Sequence, residues 1–186
     1  MRILLAILLL AAQEPPRKIK FQMEHFKVDT KKTVPLRPEE AAAFAAELKE
    51  MPGVQDAACS ETGATVILKP GSTLKLSELR GAGKKTLGQD GGKPVIVFNT
   101  LRLEGRVTLT LRVEKNRERV KDALKDAGFK DVTESGDDYE GTVKTPVDVV
   151  TVVKKVATKT GVEYRIFDIL KEVIWHAPAA RTPPGP

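Results

Sequence analysis

Ile19, Phe21 and Met23 alternate with Lys20, Gln22 and Glu24, the period of two that marks a half-buried strand. The phase slips afterwards, with Phe26 and Val28 apolar, and a bulge near His25 would absorb the slip. Residues 29–36 read as a loop. Pro38 suits a first helical position, and Glu39 and Glu40 favour the positive end of a helix dipole. Ala41, Phe44, Ala45, Leu48 and Met51 then fall on one helical face, and Pro52-Gly53 ends the run. Two short strands follow, joined by a turn at Glu61-Thr62-Gly63. Gly71-Ser72 opens a weak helix carrying Leu74, Leu76 and Leu79. The glycine-rich stretch 81–93 reads as a long loop, and 95–103 as a closing strand.

Glu104-Gly105 is a tight-turn signal between two strand-like runs, and the domain boundary is placed there. The strand before it would pair directly with the strand after it. Val107, Leu109, Leu111 and Val113 alternate with Thr108, Thr110 and Arg112, the cleanest strand pattern in the chain. Asn116 is a good helix cap. Val120, Ala123, Leu124 and Ala127 form a buried stripe, and Gly128 closes the helix. A hairpin is expected around Ser135-Gly136-Asp137-Asp138. Thr145-Pro146 would start a second helix carrying Val149, Val150, Val153 and Val156, stopped at Gly161. Val162, Tyr164 and Ile166 begin a last strand, and 167–175 is an apolar extension beyond it. The chain ends in a proline-rich stretch.

Both halves thus read as strand–helix–strand–strand, the front of a ferredoxin-like βαββαβ unit. The expected fold is α+β, with two tandem ferredoxin-like modules of antiparallel strands and helices on one face. Their bounds are 19–104 and 105–174, after a segment 1–12 and a linker 13–18 and before a disordered tail 175–186. Over 186 residues, 41% apolar and 30% charged content supports packed cores. Aromatics at 5% argue against a stacking platform for nucleic acid. The formal charge of +6 is spread, with only isolated pairs such as Lys31-Lys32, Lys84-Lys85 and Lys154-Lys155, so no nucleic-acid partner is expected.

Residues 1–12 combine a positive start, Met1-Arg2, with a short apolar run and an Ala11-Ala12-Gln13 cleavage point. The run falls short of the roughly 20 apolar residues of a bilayer-spanning helix, so it reads as a signal peptide. The expected location is exported, periplasmic or extracellular, with no membrane span after cleavage. The single cysteine cannot form an internal disulfide, so packing must hold the fold.

Phe44, Leu48 and Met51-Pro52-Gly53-Val54 in the first half, and Val120 with Ala123-Leu124 in the second, resemble the heavy-metal-associated (HMA) domain family. The resemblance covers residues 34–70 and 106–166. It implies a ferredoxin-like fold and, in the family, a soft metal held by Cys-x-x-Cys at the first helix. Here Arg37 and Glu40 stand at the cysteine positions of the first copy. Val113 and Asn116 stand there in the second, within about one residue. Both copies are degenerate, and the family's metal activity is not carried over.

Cys59 lies where the family has a core-facing residue and is expected to be a small buried apolar group. His176, beside Trp175, is expected in a solvated tail. With two histidines in the chain, a Ser-His or Cys-His centre has little material. Residues 114–119 lack the glycine pattern of a phosphate-cradling loop, and 81–86 fail the Walker spacing. The expected function is therefore an exported non-catalytic binding or scaffolding module without a cofactor. Its partner would be another envelope protein, met at sheet edges and at 167–175. The alternative is a copper or zinc binding or transfer protein using Met23 and His25, thioether and imidazole two positions apart on one strand.

Overall fold

The computed structural model describes residues 17–27, 32–87, 92–97 and 100–180. The predicted signal segment, most of the linker and the last residues of the predicted tail lie outside them. The architecture is α+β, with two antiparallel five-stranded sheets.

In the first sheet, β1 (Lys18–Lys27) pairs with β4 (Gly63–Leu68) through its first half and with β6 (Gly92–Val97) through its second. β3 (Val54–Cys59) lies outside β4, and β2 (Lys32–Val34) forms a short hairpin on the end of β1. Residues 29–36 are thus not all loop. Nor is there a bulge near His25, because the register from Gln22 to Lys27 against β6 is unbroken. β2 and β6 both pair with residues 25–27, so they must occupy opposite edges. Helices α1 (Pro38–Lys49) and α2 (Leu76–Leu87) pack side by side. Phe44, Leu48 and Leu79 are buried with Ile19, Phe21, Val66 and Leu68, while Lys18, Lys20 and Gln22 are exposed.

The second sheet runs β5 (Thr73–Lys75), β10 (Leu170–His176), β7 (Arg102–Leu111), β9 (Asp138–Asp148) and β8 (Phe129–Ser135). Helix α3 (Val120–Asp126) follows a short 3-10 turn, and it packs against α4 (Val149–Thr160), whose Val149, Val152, Val153 and Val156 are buried. Gly161 ends α4 at φ 70, as a left-handed cap favours glycine. A one-turn helix, α5 (Ile166–Ile169), leads into β10.

Several expectations are corrected here. Glu104-Gly105 is no turn. It lies inside β7, where the register shifts between Leu103 and Gly105 and Gly105 takes φ 65. The extra residues of this shift lie on β9, where Val147 and Val143 face Leu103 and Gly105, and a positive-φ glycine inside a strand gives the same sequence signal as a hairpin turn. The last strand is 170–176 rather than one beginning at Val162, so the apolar run 167–175 is not an added surface. Leu170, Val173 and Trp175 are core residues, and Phe167 is the exposed one at 60%. The tail expected from 175 does not begin there, because Trp175 and His176 are strand. Pro146 lies in β9, and α4 begins at Val149. The stretch 81–87, expected as loop, continues α2, tied by Lys85 to Glu47 of α1 and by the Thr86 hydroxyl to the Ala82 carbonyl.

β6 pairs with β1, and the two halves are joined instead by β5, which leaves the first half to pair with β10. Leu74 stands opposite Trp175, and both are buried. The ladder is extended by Ala177 N–H to the Ser72 carbonyl at 2.8 Å and Gly71 N–H to the Pro178 carbonyl at 2.8 Å. Glu172 of β10 accepts from the Ser77 N–H at the start of α2 at 3.0 Å, satisfying one of the donors a helix start leaves open. Trp175 Nε1 donates to the Arg102 carbonyl at 3.4 Å.

One buried apolar cluster therefore runs through both halves. Two outcomes follow. Trp175→Ala should cost about 3–5 kcal/mol in denaturant unfolding, as expected for emptying a large core site. The chain's one tryptophan should also report the same transition as far-UV circular dichroism. A second dichroism transition after the fluorescence change is complete would show that the halves unfold separately.

Candidate functional site

The first half of β1 and the start of β7 approach each other without pairing. They are held at a fixed separation by polar contacts. Gln22 N–H of β1 donates to Thr100 Oγ1 at 2.9 Å. Arg17 reaches over β7 at the register shift, where its guanidinium lies against Gly105 so closely that a Cβ there would collide with it. Its Nη1 donates to the His176 carbonyl at 3.2 Å. Burial lowers the Arg17 pKa to about 10, opposed in part by the nearby Glu104 carboxylate.

Between these contacts lies an open cleft of about 580 Å³. Its floor is made where Ala58 of β3 and Lys20 of β1 both pair with Thr65 of β4, with Gly63 beside them. Its cations are Lys20 and Arg102, one from each half of the chain, and no carboxylate among the described residues lines it. Arg102 Nε sits 3.1 Å from Asp148 Oδ1, the residue that precedes α4. That oxygen is buried and lies off the line of a hydrogen bond, so Arg102 is its charge partner.

Cys59 also lines the cleft. It is half-buried and packs on the core edge rather than inside it. Burial raises its thiol to about 11, so it stays protonated and neutral near pH 7.

His176 is not solvated tail. It sits in β10 with its Nε2 2.9 Å from Thr108 Oγ1. Burial lowers its pKa; Glu140 opposes this, while Arg106 and Arg17 add to it. Glu140 is held low first by its hydrogen bond from Arg106, whose Nε lies 2.6 Å away. Thr108 is only 8% exposed and His176 is half-buried, and the hydroxyl–imidazole pair serves as a structural clasp beside Arg17.

The positions where the resemblance would place thiolates are all otherwise engaged. Arg37 N–H donates to Glu40 Oε2 at 2.8 Å, and Arg37 Nη2 donates to Glu40 Oε1 at 3.0 Å. The Glu40 carboxylate thus closes the start of α1. Val113 is buried. Asn116 adopts φ 50 and donates from Nδ2 to the Thr160 carbonyl at 2.8 Å, so it ties the loop to the end of α4. These groups do not fit a soft metal. Met23 and His25 share β1 in an unbroken register, opposite Ile96 and Pro94 of β6, but their side chains lie outside the described residues. In the 114–119 loop, Arg117 is engaged by Glu134 and Asp137.

Sequence reading placed Lys20 on the polar face of a strand. It missed Arg102, Thr65 and Thr100, because nothing in local spacing brings residue 102 beside residue 20. No family model matches the chain, and no curated protein matches it. Among the described residues no helix is long and apolar enough to cross a membrane.

The clasp carries a pH dependence. The folded pKa of His176 lies below its unfolded value of about 6.5. Between the two, the unfolded chain binds more protons, so stability falls as pH drops below about 6.5 and levels off beneath the folded pKa. Denaturant midpoints at pH 7.5 and 5.5 should show this loss, and His176→Gln should reduce it. An unchanged pH slope in the variant would assign the loss elsewhere.

Proposed function

We propose that this chain is an exported, non-catalytic binding protein built on two ferredoxin-like modules in tandem. The strand orders support the fold reading. β3-β4-β1-β6 and β8-β9-β7-β10 each place the first and third strands of a βαββαβ unit at the centre, with β2 and β5 as additions. Export rests on the signal-like residues 1–12.

The observation that carries the functional reading is the chemistry at the former thiolate positions. Arg37 with Glu40, and Asn116 with Thr160, use these positions to close helix ends. A unit that keeps its packing residues and converts its ligand positions into clasps retains a scaffold and a surface. The partner is another envelope protein. The 167–175 run is largely committed to the core, which leaves the cleft between the two sheets as the surface best suited to it.

Titration of the protein lacking residues 1–12 with Cu(I) and Zn(II) tests the reading. No stoichiometric binding is expected, and one envelope protein should co-purify with the bait. Tight stoichiometric metal binding that disappears in Met23→Ala or His25→Ala would replace this reading with metal transfer.

A further inference from the structure

We propose that the cleft between β1 and β7 seats an acidic peptide segment of the partner, an inference that rests on the binding reading above. Two cations converge on one concavity whose described lining holds no carboxylate. Arg106, Arg117, Lys121 and Lys159 each have a carboxylate partner within the chain. Lys20 is exposed and has no ion-pair partner among the described residues.

Arg102 is held differently. Asp148 engages its Nε, so the donors left over are the two terminal nitrogens, which have no partner among the described residues. A guanidinium anchored from behind has already lost part of its rotamer freedom, so less is lost when it binds a carboxylate. Cys59, the lining group that could become an anion, is kept a neutral thiol by its burial.

The shape favours a peptide over a small anion. The cleft of about 580 Å³ is far larger than one oxyanion. Along its floor residues 20–22 and 63–65 are paired strand and the Gln22 N–H is taken by Thr100, so these residues do not form a phosphate-cradling nest. The small side chains of Ala58 and Gly63 let a chain lie close to the sheet, and the Thr65 hydroxyl has no partner among the described residues. Two cations on separate elements suit two carboxylates along an extended segment, with attraction strongest at low ionic strength.

Fluorescence anisotropy tests this, using a fluorescein-labelled hexapeptide of alternating Asp and Glu and the protein lacking residues 1–12. Saturable binding is expected. Lys20→Glu and Arg102→Gln should each weaken it at least tenfold, and Lys144→Glu, an exposed β9 lysine away from the cleft, should leave it within twofold. Inorganic phosphate at matched ionic strength should not displace the peptide. No binding by the unsubstituted protein, equal loss in Lys144→Glu, or displacement by phosphate would each overturn the proposal. Lys20 is exposed, so Lys20→Glu keeps the test decisive if Arg102→Gln fails to fold, with circular dichroism as the check. An envelope partner captured equally by wild type and Lys20→Glu would sink the cleft and leave the binding reading standing. Capture of nothing by either protein would sink the binding reading itself.

Discussion

The three-residue strand β5 is short, but the relation of the two halves depends on it. Thr73–Lys75 follows the first hairpin and precedes α2, yet its backbone partners are Ile174, Trp175 and His176 of β10. A strand donated across the junction places Leu74 against Trp175 in a common core and lets Glu172 close the start of α2. Gly53 shows how tightly the donated segment lies, since a Cβ there would stand 2.6 Å from the Thr73 carbonyl oxygen. Pairing and burial reinforce each other: the ladder satisfies polar backbone that burial would otherwise leave unpaired, and the buried indole gives the ladder its apolar face.

The cleft is a consequence of that junction. With β5 on β10, the chain passes from β6 into β7 beside the first half of β1, close but unpaired. Thr100, Arg17 and Gly105 then set the gap. Gly105 gives the guanidinium of Arg17 its place, and Arg17 in turn holds the end of β10 through the His176 carbonyl. Thr108, His176, Glu140 and Arg106 continue this polar layer across the second sheet. The concavity is thus framed by contacts between segments far apart in sequence.

The loops ahead of α1 and α3 use their leading residues in different ways. A helix N-terminus offers unpaired N–H groups and a positive field, which can lower the pKa of a thiol or accept a carboxylate cap. Glu40 makes the carboxylate cap, whereas Asn116 makes no side-chain cap bond and donates instead to the Thr160 carbonyl at the end of α4. Arg37 cannot accept the helix N–H groups, so the carboxylate of Glu40 closes this terminus and the guanidinium neutralises it. Such an arrangement stabilises the first turn.

Local pattern was enough for much of the architecture. Alternation in β1 and β7, the stripes of α1, α3 and α4, the hairpin at Gly136-Asp137 and the stop at Gly161 follow from side-chain period and backbone preference, which are properties of neighbouring residues. The α+β class, with antiparallel strands and packed helix pairs, follows from them. Other features needed the tertiary structure. Glu104-Gly105 signals a residue at positive φ, and only the pairing with β9 decided that it lies within a strand, opposite a bulge of β9. Residues 167–175 are apolar in either setting, and only the neighbours β5 and β7 decided that they close a sheet. Lys20, Thr65, Thr100 and Arg102 form a site because distant strands are held side by side, and long-range pairing leaves no trace in local spacing.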